Sequence, residues 1–206
     1  MKVLVFDTET TGLPSKPKGF DKYYSYTKLD CYKNSRIVSI CWNMYENNKL
    51  VNSNYYIIKP DNFEIDNKSY ACKINGITQE IALKDGIHIL DVFEKLHSDL
   101  YNCDIIVAHN LLFDKHILLS ELHRNKRNDL IQIFESKELY CTMNHSKEVL
   151  KLPTKYGNHY KSPKLIELYQ YFFNKDFNEQ HNAKADVDAC AQCYFKLIQN
   201  KKVKTK

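Results

Sequence analysis

The chain opens with a short apolar run that passes directly into acidic and hydroxyl residues: Lys2-Val-Leu-Val-Phe6 is followed by Asp7-Thr-Glu-Thr-Thr-Gly12. The β-branched residues of the run predict a strand, and the closing glycine with the proline soon after it predicts where the strand ends. Alternate side chains of a strand share one face, so we expect Asp7 and Glu9 to project together.

Two neighbouring carboxylates allow two interpretations. Like charges at short range repel, and the repulsion raises the pKa of both groups unless a cation lies between them. A divalent metal ion would relieve that repulsion. Alternatively, the end of a strand simply carries two acids into solvent. The first twelve residues alone leave both interpretations open.

Length and composition limit the number of domains and the class of protein. The chain has 206 residues, 43% of them hydrophobic, which predicts one globular domain over residues 1–200 with an insertion at 13–34 and a basic tail at 201–206. No apolar stretch approaches the ~20 residues of a membrane helix, and the N-terminus does not resemble a signal peptide. We therefore expect no membrane partner and a cytoplasmic location, or a nuclear or viral-factory one if the chain comes from a eukaryote or its virus.

The cysteines and the net charge bear on disulfides, on a zinc site and on the charge of a binding partner. Seven scattered cysteines, an odd number, favour reduced thiols over a disulfide framework. Cys190 and Cys193 form a CxxC pair, but no second pair or paired histidine supports a structural zinc site. The net charge of +5 permits a polyanionic partner without requiring one.

The segment 13–34 interleaves lysines with tyrosines and shows no periodicity. Single-stranded nucleic acid is often held by such a mixture, with phosphates on lysines and bases on rings. Tyrosine-rich loops also pack on their own domain, and we favour that interpretation.

The remaining pattern alternates strands and helices. A turn at Asn47-Asn48 joins two strands into a hairpin, and Thr78 is a good N-cap after a tight turn at 74–78. Strands are predicted over 36–45, 50–59, 104–108 and 139–142, and helices over 87–100, 111–123, 163–173 and 183–199. This order predicts an α/β fold, a mixed sheet flanked by helices.

Four acids and one histidine stand at strategic places in this pattern. Asp7 and Glu9 lie on the first strand, Asp114 near the start of a helix that follows a buried strand, and Asp186 on the final helix, five positions after His181. Carboxylates suit Mg²⁺ or Mn²⁺. Two such ions ~3.5–4 Å apart can activate a water and stabilise a leaving oxygen, and a neutral histidine can take the proton of the water.

Three segments resemble the motifs of the DEDDh (DnaQ-like) 3′→5′ exonuclease family, which includes the epsilon proofreading subunit of bacterial DNA polymerase III and TREX-type enzymes. They are Asp7-Thr-Glu-Thr-Thr-Gly12, His109-Asn-Leu-Leu-Phe-Asp114 and His181-Asn-Ala-Lys-Ala-Asp186. They occur in the order found in the family and span most of the chain. The His-x4-Asp spacing is that of the histidine subclass, since Asn stands at position 182, where the other subclass has tyrosine.

The resemblance implies a ribonuclease H-like fold with a central five-stranded mixed sheet and metal-dependent 3′→5′ hydrolysis of nucleic acid to nucleoside monophosphates. Asp7, Glu9 and Asp186 would hold one ion, Asp7 and Asp114 would serve a second, and His181 would be the general base. The residues implied near the terminal nucleotide and the scissile end are Thr8, Thr11, Gly12, Leu13, Ile77, Asn110 and Phe113.

The motifs do not distinguish between DNA and RNA as the substrate. The leading hypothesis is a DNA exonuclease of single-stranded or frayed 3′ ends, in proofreading or repair, with any polymerase partner binding in trans. An RNA exonuclease would use the same metal site, because that site contacts phosphate, whereas discrimination depends on the 2′-OH. A non-catalytic nucleic-acid-binding or polymerase-tethering module is disfavoured, because all four acids and the histidine are present.

Overall fold

The computed structural model describes residues 1–18, 22–154, 157, 159–177 and 183–204. Five strands form one mixed sheet in the order β3-β2-β1-β4-β5: β1 Lys2–Thr10, β2 Ile37–Glu46, β3 Lys49–Ile57, β4 Ile105–Ala108 and β5 Glu138–Cys141. The helices of the described chain are α1 Tyr70–Asn75, α2 Gln79–Asp85, α3 Ile89–Asn102, α4 Leu111–Arg124, α5 Asn128–Glu135, α6 Thr142–Leu150, α7 Leu165–Phe173 and α8 Ala183–Lys204. A 3₁₀ turn covers Leu29–Tyr32.

The central position of β1 determines where the functional side chains meet. β1 pairs antiparallel with β2 and parallel with β4, so that Val5 lies opposite Asn43 on one side and Val107 on the other. Because β1 and β4 run in the same direction, their carboxyl ends emerge at the same edge of the sheet. The Asp7–Thr10 end of β1 therefore lies beside the start of α4.

The two faces of β1 pack in separate cores. Leu4 and Phe6 belong to a cluster with buried residues of α3, α4 and α5, and Val3 and Val5 belong to a second cluster under α8. Continued along the strand, this alternation directs the side chains of Asp7 and Glu9 to the α8 face and that of Thr8 to the α4 face. Successive side chains of the segment Asp7–Glu9 therefore face two different helices, α8 and α4.

The predicted mixed sheet, its hairpin and the long helices are confirmed, with ends that differ by a few residues. Asn47 and Asn48 have φ of 50° and 64°, the positive values that a tight hairpin turn requires. Three short helices, α1, α5 and α6, go beyond the predicted elements. The final helix continues to Lys204, into the segment predicted to be a basic tail.

In the segment 13–34, which the sequence predicts to be an insertion, Tyr26 and Tyr32 pack on the domain, as the favoured interpretation predicted. Tyr32 is fully buried, and its hydroxyl donates to the carbonyl of Tyr24. The Tyr26 ring meets His123 of α4 edge-on, with ring centroids 6.1 Å apart. The positions 19–21 within the insertion lie outside the described residues.

Two further observations concern the cysteines and the described helices. All seven cysteines are free thiols, six of them buried, as their scattered spacing predicted. None of the described helices combines the length and the apolar character that crossing a bilayer requires.

Candidate active site

Three carboxylates converge where β1 ends under α8. Asp7 and Glu9 project from the same face of β1, and Asp186 reaches them from the first turn of α8. One ligand oxygen from each of the three lies within 4.8 Å of the others, a spacing at which they could hold one cation. The predicted pairing of Asp7 with Glu9 is therefore present, and Asp186 joins it from the helix that packs on the same face of the sheet.

The fourth acid, Asp114, is held by Thr8. The backbone N–H of Thr8 donates to Oδ1 of Asp114 at 3.1 Å, and its hydroxyl donates to the same oxygen at 2.8 Å. Asp114 is only 2% exposed. It reaches β1 because Asn110 adopts a left-handed conformation, with φ 66° and ψ 40°, at the junction between β4 and α4. The predicted strand–turn–helix placement of Asp114 is thus present.

These acids line a cleft of about 450 Å³. Its residues are Asp7, Thr8, Glu9, His109, Asn110, Phe113, Asp114, Lys164, Leu165, Ile166, Phe177 and Asp186. Lys164 to Ile166, at the start of α7, and Phe177 were not predicted to be site residues. Nothing in their local sequence marks them, because only the packing of α7 beside α8 carries them to the cleft.

A second groove, of about 530 Å³, adjoins the cleft and shares Thr8, Glu9 and Phe113 with it. The groove is otherwise lined by Thr10, Thr11, Gly12, Leu13, Ser69, Tyr70, Ala71, Ile74 and Asn75. Leu13 and Tyr70 are 78% and 80% exposed, which is high for large apolar side chains. We call this surface the terminal groove.

The strand end that forms one wall of the terminal groove is fixed by close backbone contacts. The N–H of Thr11 donates to the carbonyl of Arg36 at 2.9 Å, and the N–H of Arg36 donates to the Thr11 hydroxyl at 3.0 Å. A Cβ at Gly12 would stand 2.9 Å from the carbonyl oxygen of Asn34, so this close approach requires glycine. The side chain of Asn75 donates to the carbonyl of Thr10 at 3.2 Å and ties α1 to the same strand end.

His109 connects the end of β4 to the opposite wall of the cleft. Its Nε2 lies 3.0 Å from the carbonyl oxygen of Pro163, and its Nδ1 lies 2.9 Å from the hydroxyl of Thr142. Since a carbonyl can only accept, Nε2 carries the proton and Nδ1 accepts from Thr142. Burial lowers the pKa of His109 to about 4, so the ring is neutral near pH 7. As a neutral hydrogen-bonding group, His109 therefore holds Pro163, the residue before Lys164, at the wall of the cleft.

A known sequence family matches most of the chain. The family model for RNase T-type proteins, described as Exonuclease, matches residues 4–194. The chain belongs to this exonuclease family. This is the DEDDh, DnaQ-like group that the three motifs indicated. A comparison with curated proteins finds no match.

Solved exonuclease structures share the fold of this exonuclease domain. Exonuclease X in complex with 5′ overhanging duplex DNA superposes with a TM-score of 0.58 at 21% identity, over 96% of this chain and 92% of that one. E. coli exonuclease I in complex with a dT13 oligonucleotide gives 0.70 at 16% identity, over 99% and 42%. Exonuclease I from Methylocaldum szegediense gives 0.67 at 17%, over 97% and 40%. The chain thus spans about two fifths of the exonuclease I proteins, and its sheet has the ribonuclease H-like α/β fold.

Exonucleases of this family generally use divalent metal ions, and the electrostatics of the four acids fit that requirement. Burial, followed by repulsion from the other three acids, raises the pKa of Asp7 well above its ordinary value. Burial and repulsion from Asp186 and Asp114 raise the pKa of Glu9 to about 8. Burial also raises the pKa of Asp114 to about 7, against the opposing effect of the Thr8 hydrogen bonds. Bound cations would remove this repulsion and favour the ionised acids.

One predicted site residue lies away from both cavities, and another is outside the described residues. Ile77 is 5% exposed and packs in a buried cluster with Val38, Ile65, Cys72 and Ala82, so it lines neither the cleft nor the terminal groove. Ile74, one helical turn earlier, lines the groove instead. His181 and the loop at 178–182 lie outside the described residues.

Proposed function

We propose that the chain is a metal-dependent 3′→5′ exonuclease that removes nucleoside monophosphates from single-stranded or frayed 3′ ends of DNA. The observation that carries this proposal is the convergence of Asp7, Glu9, Asp114 and Asp186 on one edge of the sheet, next to an apolar groove. The family supports the nuclease chemistry, and the DNA complexes of exonuclease X and exonuclease I are consistent with a DNA substrate.

The four acids are the proposed ligands of two Mg²⁺ or Mn²⁺ ions, with Asp7, Glu9 and Asp186 at one site and Asp7 and Asp114 at the other. The spacing of the first three oxygens, within 4.8 Å, supports this assignment. The chemistry that such a pair of ions supplies when bound is activation of a water and stabilisation of the leaving oxygen. Thr8 orients one oxygen of Asp114 and leaves the other for a ligand.

His181 is the proposed general base. Its position five residues before Asp186 supports this role, because the first turn of α8 holds Asp186 at the acid cluster. A neutral imidazole there would take the proton of the attacking water as the new phosphorus–oxygen bond forms and the bond to the 3′ oxygen of the next nucleotide breaks. The leaving 3′ oxygen then gains a proton from solvent, so a nucleoside 5′-monophosphate and a shortened strand result.

The terminal groove is the proposed place of the 3′-terminal nucleotide. The exposed side chains of Leu13 and Tyr70 would cover the base from two sides, and Ile74 takes over the base contact that the sequence assigned to Ile77. Phe113 lines both the groove and the cleft, so it would contact the nucleotide next to the scissile bond. Asn110 and the backbone of Thr11 and Gly12 complete the proposed contacts.

RNA is the second candidate substrate. The acid cluster would act on either nucleic acid because its ligands contact phosphate, and a purely tethering module does not explain why four acids share one cleft. A polymerase or repair partner in trans is a further expectation of the family resemblance.

The experiment that tests the proposal compares one sequence as DNA and as RNA, each labelled at either the 5′ or the 3′ end. With Mg²⁺ or Mn²⁺, a 3′→5′ exonuclease shortens the 5′-labelled strand stepwise and releases a 3′ label at once as the mononucleotide. Immediate release of a 5′ label would contradict the direction, and faster loss of RNA would assign the second substrate. No cleavage of either strand, with binding retained, would favour the tethering module.

A further inference from the structure

The insertion at 13–34 continues from the wall of the terminal groove to the mouth of the cleft. Leu13, its first residue, lines the groove. The Tyr23 ring contacts Phe113 edge-on, with centroids 6.2 Å apart, and lies 5.4 Å from the ring of His116 on the next turn of α4. Because Phe113 lines both cavities, Tyr23 connects the insertion to the point where the proposed terminal nucleotide meets the rest of the strand.

Tyr23 also holds a cation at this point. The ammonium group of Lys16 lies 4.6 Å from the centroid of the Tyr23 ring, a cation–π contact that fixes a long and otherwise exposed side chain. The ring of His116 is held within α4, since its Nδ1 lies 2.9 Å from the carbonyl oxygen of Leu112.

The insertion is fixed to the domain beneath these residues. The N–H of Ser15 donates to the carbonyl of Cys31 at 2.8 Å, and Tyr32 is fully buried. The Tyr26 ring packs on His123. These contacts hold the outer residues in place before any ligand arrives, which lowers the entropy lost on binding.

The charge of this surface is opposite to that of the cleft. The insertion carries five lysines and two aspartates, and Lys16, Lys18 and Lys22 are exposed. The cleft it adjoins contains four carboxylates, which repel a phosphate backbone. Cations at the mouth offset that repulsion and attract a polyanion towards the cleft.

We propose that Lys16, Lys22 and the Tyr23–Phe113 contact form a track for the single-stranded segment 5′ of the nucleotide being removed. The lysines bind its phosphates, and the partly exposed ring of Phe113 contacts its first base. This inference rests on the proposed function, which puts the 3′ end in the terminal groove and so makes the strand leave past Phe113. Both interpretations of the lysine–tyrosine pattern then hold, because the inner rings pack on the domain while the outer lysines bind the strand.

The test measures equilibrium binding of a fluorescein-labelled oligothymidylate about twenty nucleotides long, by anisotropy in EDTA over a range of NaCl concentrations. Each lysine that neutralises a phosphate of a single strand contributes about 0.7 to the slope of log affinity against log salt. The Lys16→Ala/Lys22→Ala double variant should therefore bind about tenfold more weakly at low salt, with a slope shallower by about 1.4. Tyr23→Ala, which frees Lys16, should weaken binding in the same direction.

The matched control is Lys49→Ala/Lys95→Ala, which removes the same charge. Lys49 pairs with Glu46 at the end of the sheet opposite the acids, and Lys95 lies over Tyr56. Equal affinity and equal salt slope in the two double variants would overturn the track. A parallel assay follows hydrolysis of the same oligothymidylate with Mg²⁺, in which KM should rise for Lys16→Ala/Lys22→Ala and stay at the wild-type value for Lys49→Ala/Lys95→Ala. If wild-type protein hydrolyses no substrate, the proposed function fails, whereas the binding measurement still decides the track.

Discussion

Thr8 uses both of its hydrogen-bond donors on a single oxygen of Asp114. The sequence resemblance implied that Thr8 contacts the substrate, and the structure gives its hydroxyl a different partner. Thr8 is 4% exposed and on the α4 face of β1, so its side chain is directed at α4 rather than at the cleft opening. The alternation of side chains along the strand explains why Thr8 faces α4. Only the packing of α4 on the sheet shows that its partner is Asp114.

Thr8→Val removes the hydroxyl donor and keeps the shape of the side chain. Asp114 would then lose one of the two bonds that orient it, and we expect a fall in kcat of about tenfold, since small misplacements of a ligand are costly. Steady-state hydrolysis of single-stranded DNA measures the change. Thr8→Ser, which keeps the hydroxyl, should retain most of the rate. A Thr8→Val enzyme as fast as the wild type would show that the bond does not position Asp114.

The raised pKa values of the acids predict how stability depends on pH. In the unfolded chain a glutamate ionises near its ordinary value of about 4.3, whereas the pKa of Glu9 in the folded protein is about 8. Between these values the folded state binds more protons than the unfolded state, so the free energy of unfolding falls as pH rises. Asp114, with a pKa of about 7, acts in the same direction.

Without metal, we therefore expect Tm to fall by roughly 5 °C between pH 5.5 and pH 8. Added Mn²⁺ should raise Tm at pH 8, because it binds the ionised acids of the folded state. Thermal unfolding followed by circular dichroism in EDTA and in Mn²⁺ measures both effects. Glu9→Gln should show a smaller fall, which separates Glu9 from other titrating groups. A Tm unaffected by Mn²⁺ at pH 8 would contradict the assignment of these acids as ligands.

At the scale of the element, the short helices α1 and α2 and the turn between them show which features the local sequence predicts and which it does not. The Thr78 hydroxyl accepts from the N–H of Ile81 at 3.2 Å, as the N-cap prediction required. The helix before it, α1, was not predicted, although Ser69 caps it by accepting from the N–H of Cys72 at 3.1 Å. Helical spacing puts Tyr70, Ala71 and Ile74 on one face, which lines the terminal groove.

The end of α1 explains why Ile77 does not line the terminal groove. Ile77 follows the left-handed residue that ends α1, so the chain has turned and carries its side chain into the core. The sequence predicts the turn at 74–78 but does not specify which of its apolar residues lines the groove. The two short helices α5 and α6 were missed for a related reason, since fewer than three turns give a weak periodic signal.

Gly76, with φ of 71°, ends α1 in the left-handed region. A Cβ there would meet no atom within 4 Å, so the cost of a substitution comes from the backbone alone. We expect Gly76→Ala to lower the free energy of unfolding by about 1 kcal/mol and to raise KM by loosening the wall of the groove. Gly76→Asn, which tolerates this conformation better, should lose less. Chemical denaturation with hydrolysis assays tests both variants, and an unchanged stability in Gly76→Ala would contradict the role of the turn.

At the scale of the whole molecule, the topology brings distant motifs together. The sequence predicted which segments carry the acids and that a mixed sheet holds them. Periodicity could not predict the strand order or that α7 would bring Lys164 and Phe177 to the cleft, because those depend on contacts between elements far apart in the chain. The convergence of Asp7, Glu9 and Asp186 within 4.8 Å is therefore a property of the fold as a whole.

Such a site is expected to act as a unit. Removing one acid should abolish the reaction while the domain stays folded, because the loss of one repelling charge does not destabilise the metal-free protein. The matched control is Asp91→Asn, an exposed acid on α3 outside the cleft.

The most direct measurement is single-turnover hydrolysis of 5′-labelled single-stranded DNA by the wild type, Asp7→Asn and Asp91→Asn, with Mg²⁺ titrated and with EDTA. We expect stepwise shortening from the 3′ end that needs the metal, is unchanged in Asp91→Asn, and is at least about a hundredfold slower in folded Asp7→Asn. Hydrolysis that persists in EDTA, or that proceeds at the wild-type rate in Asp7→Asn, would contradict the four-acid metal site.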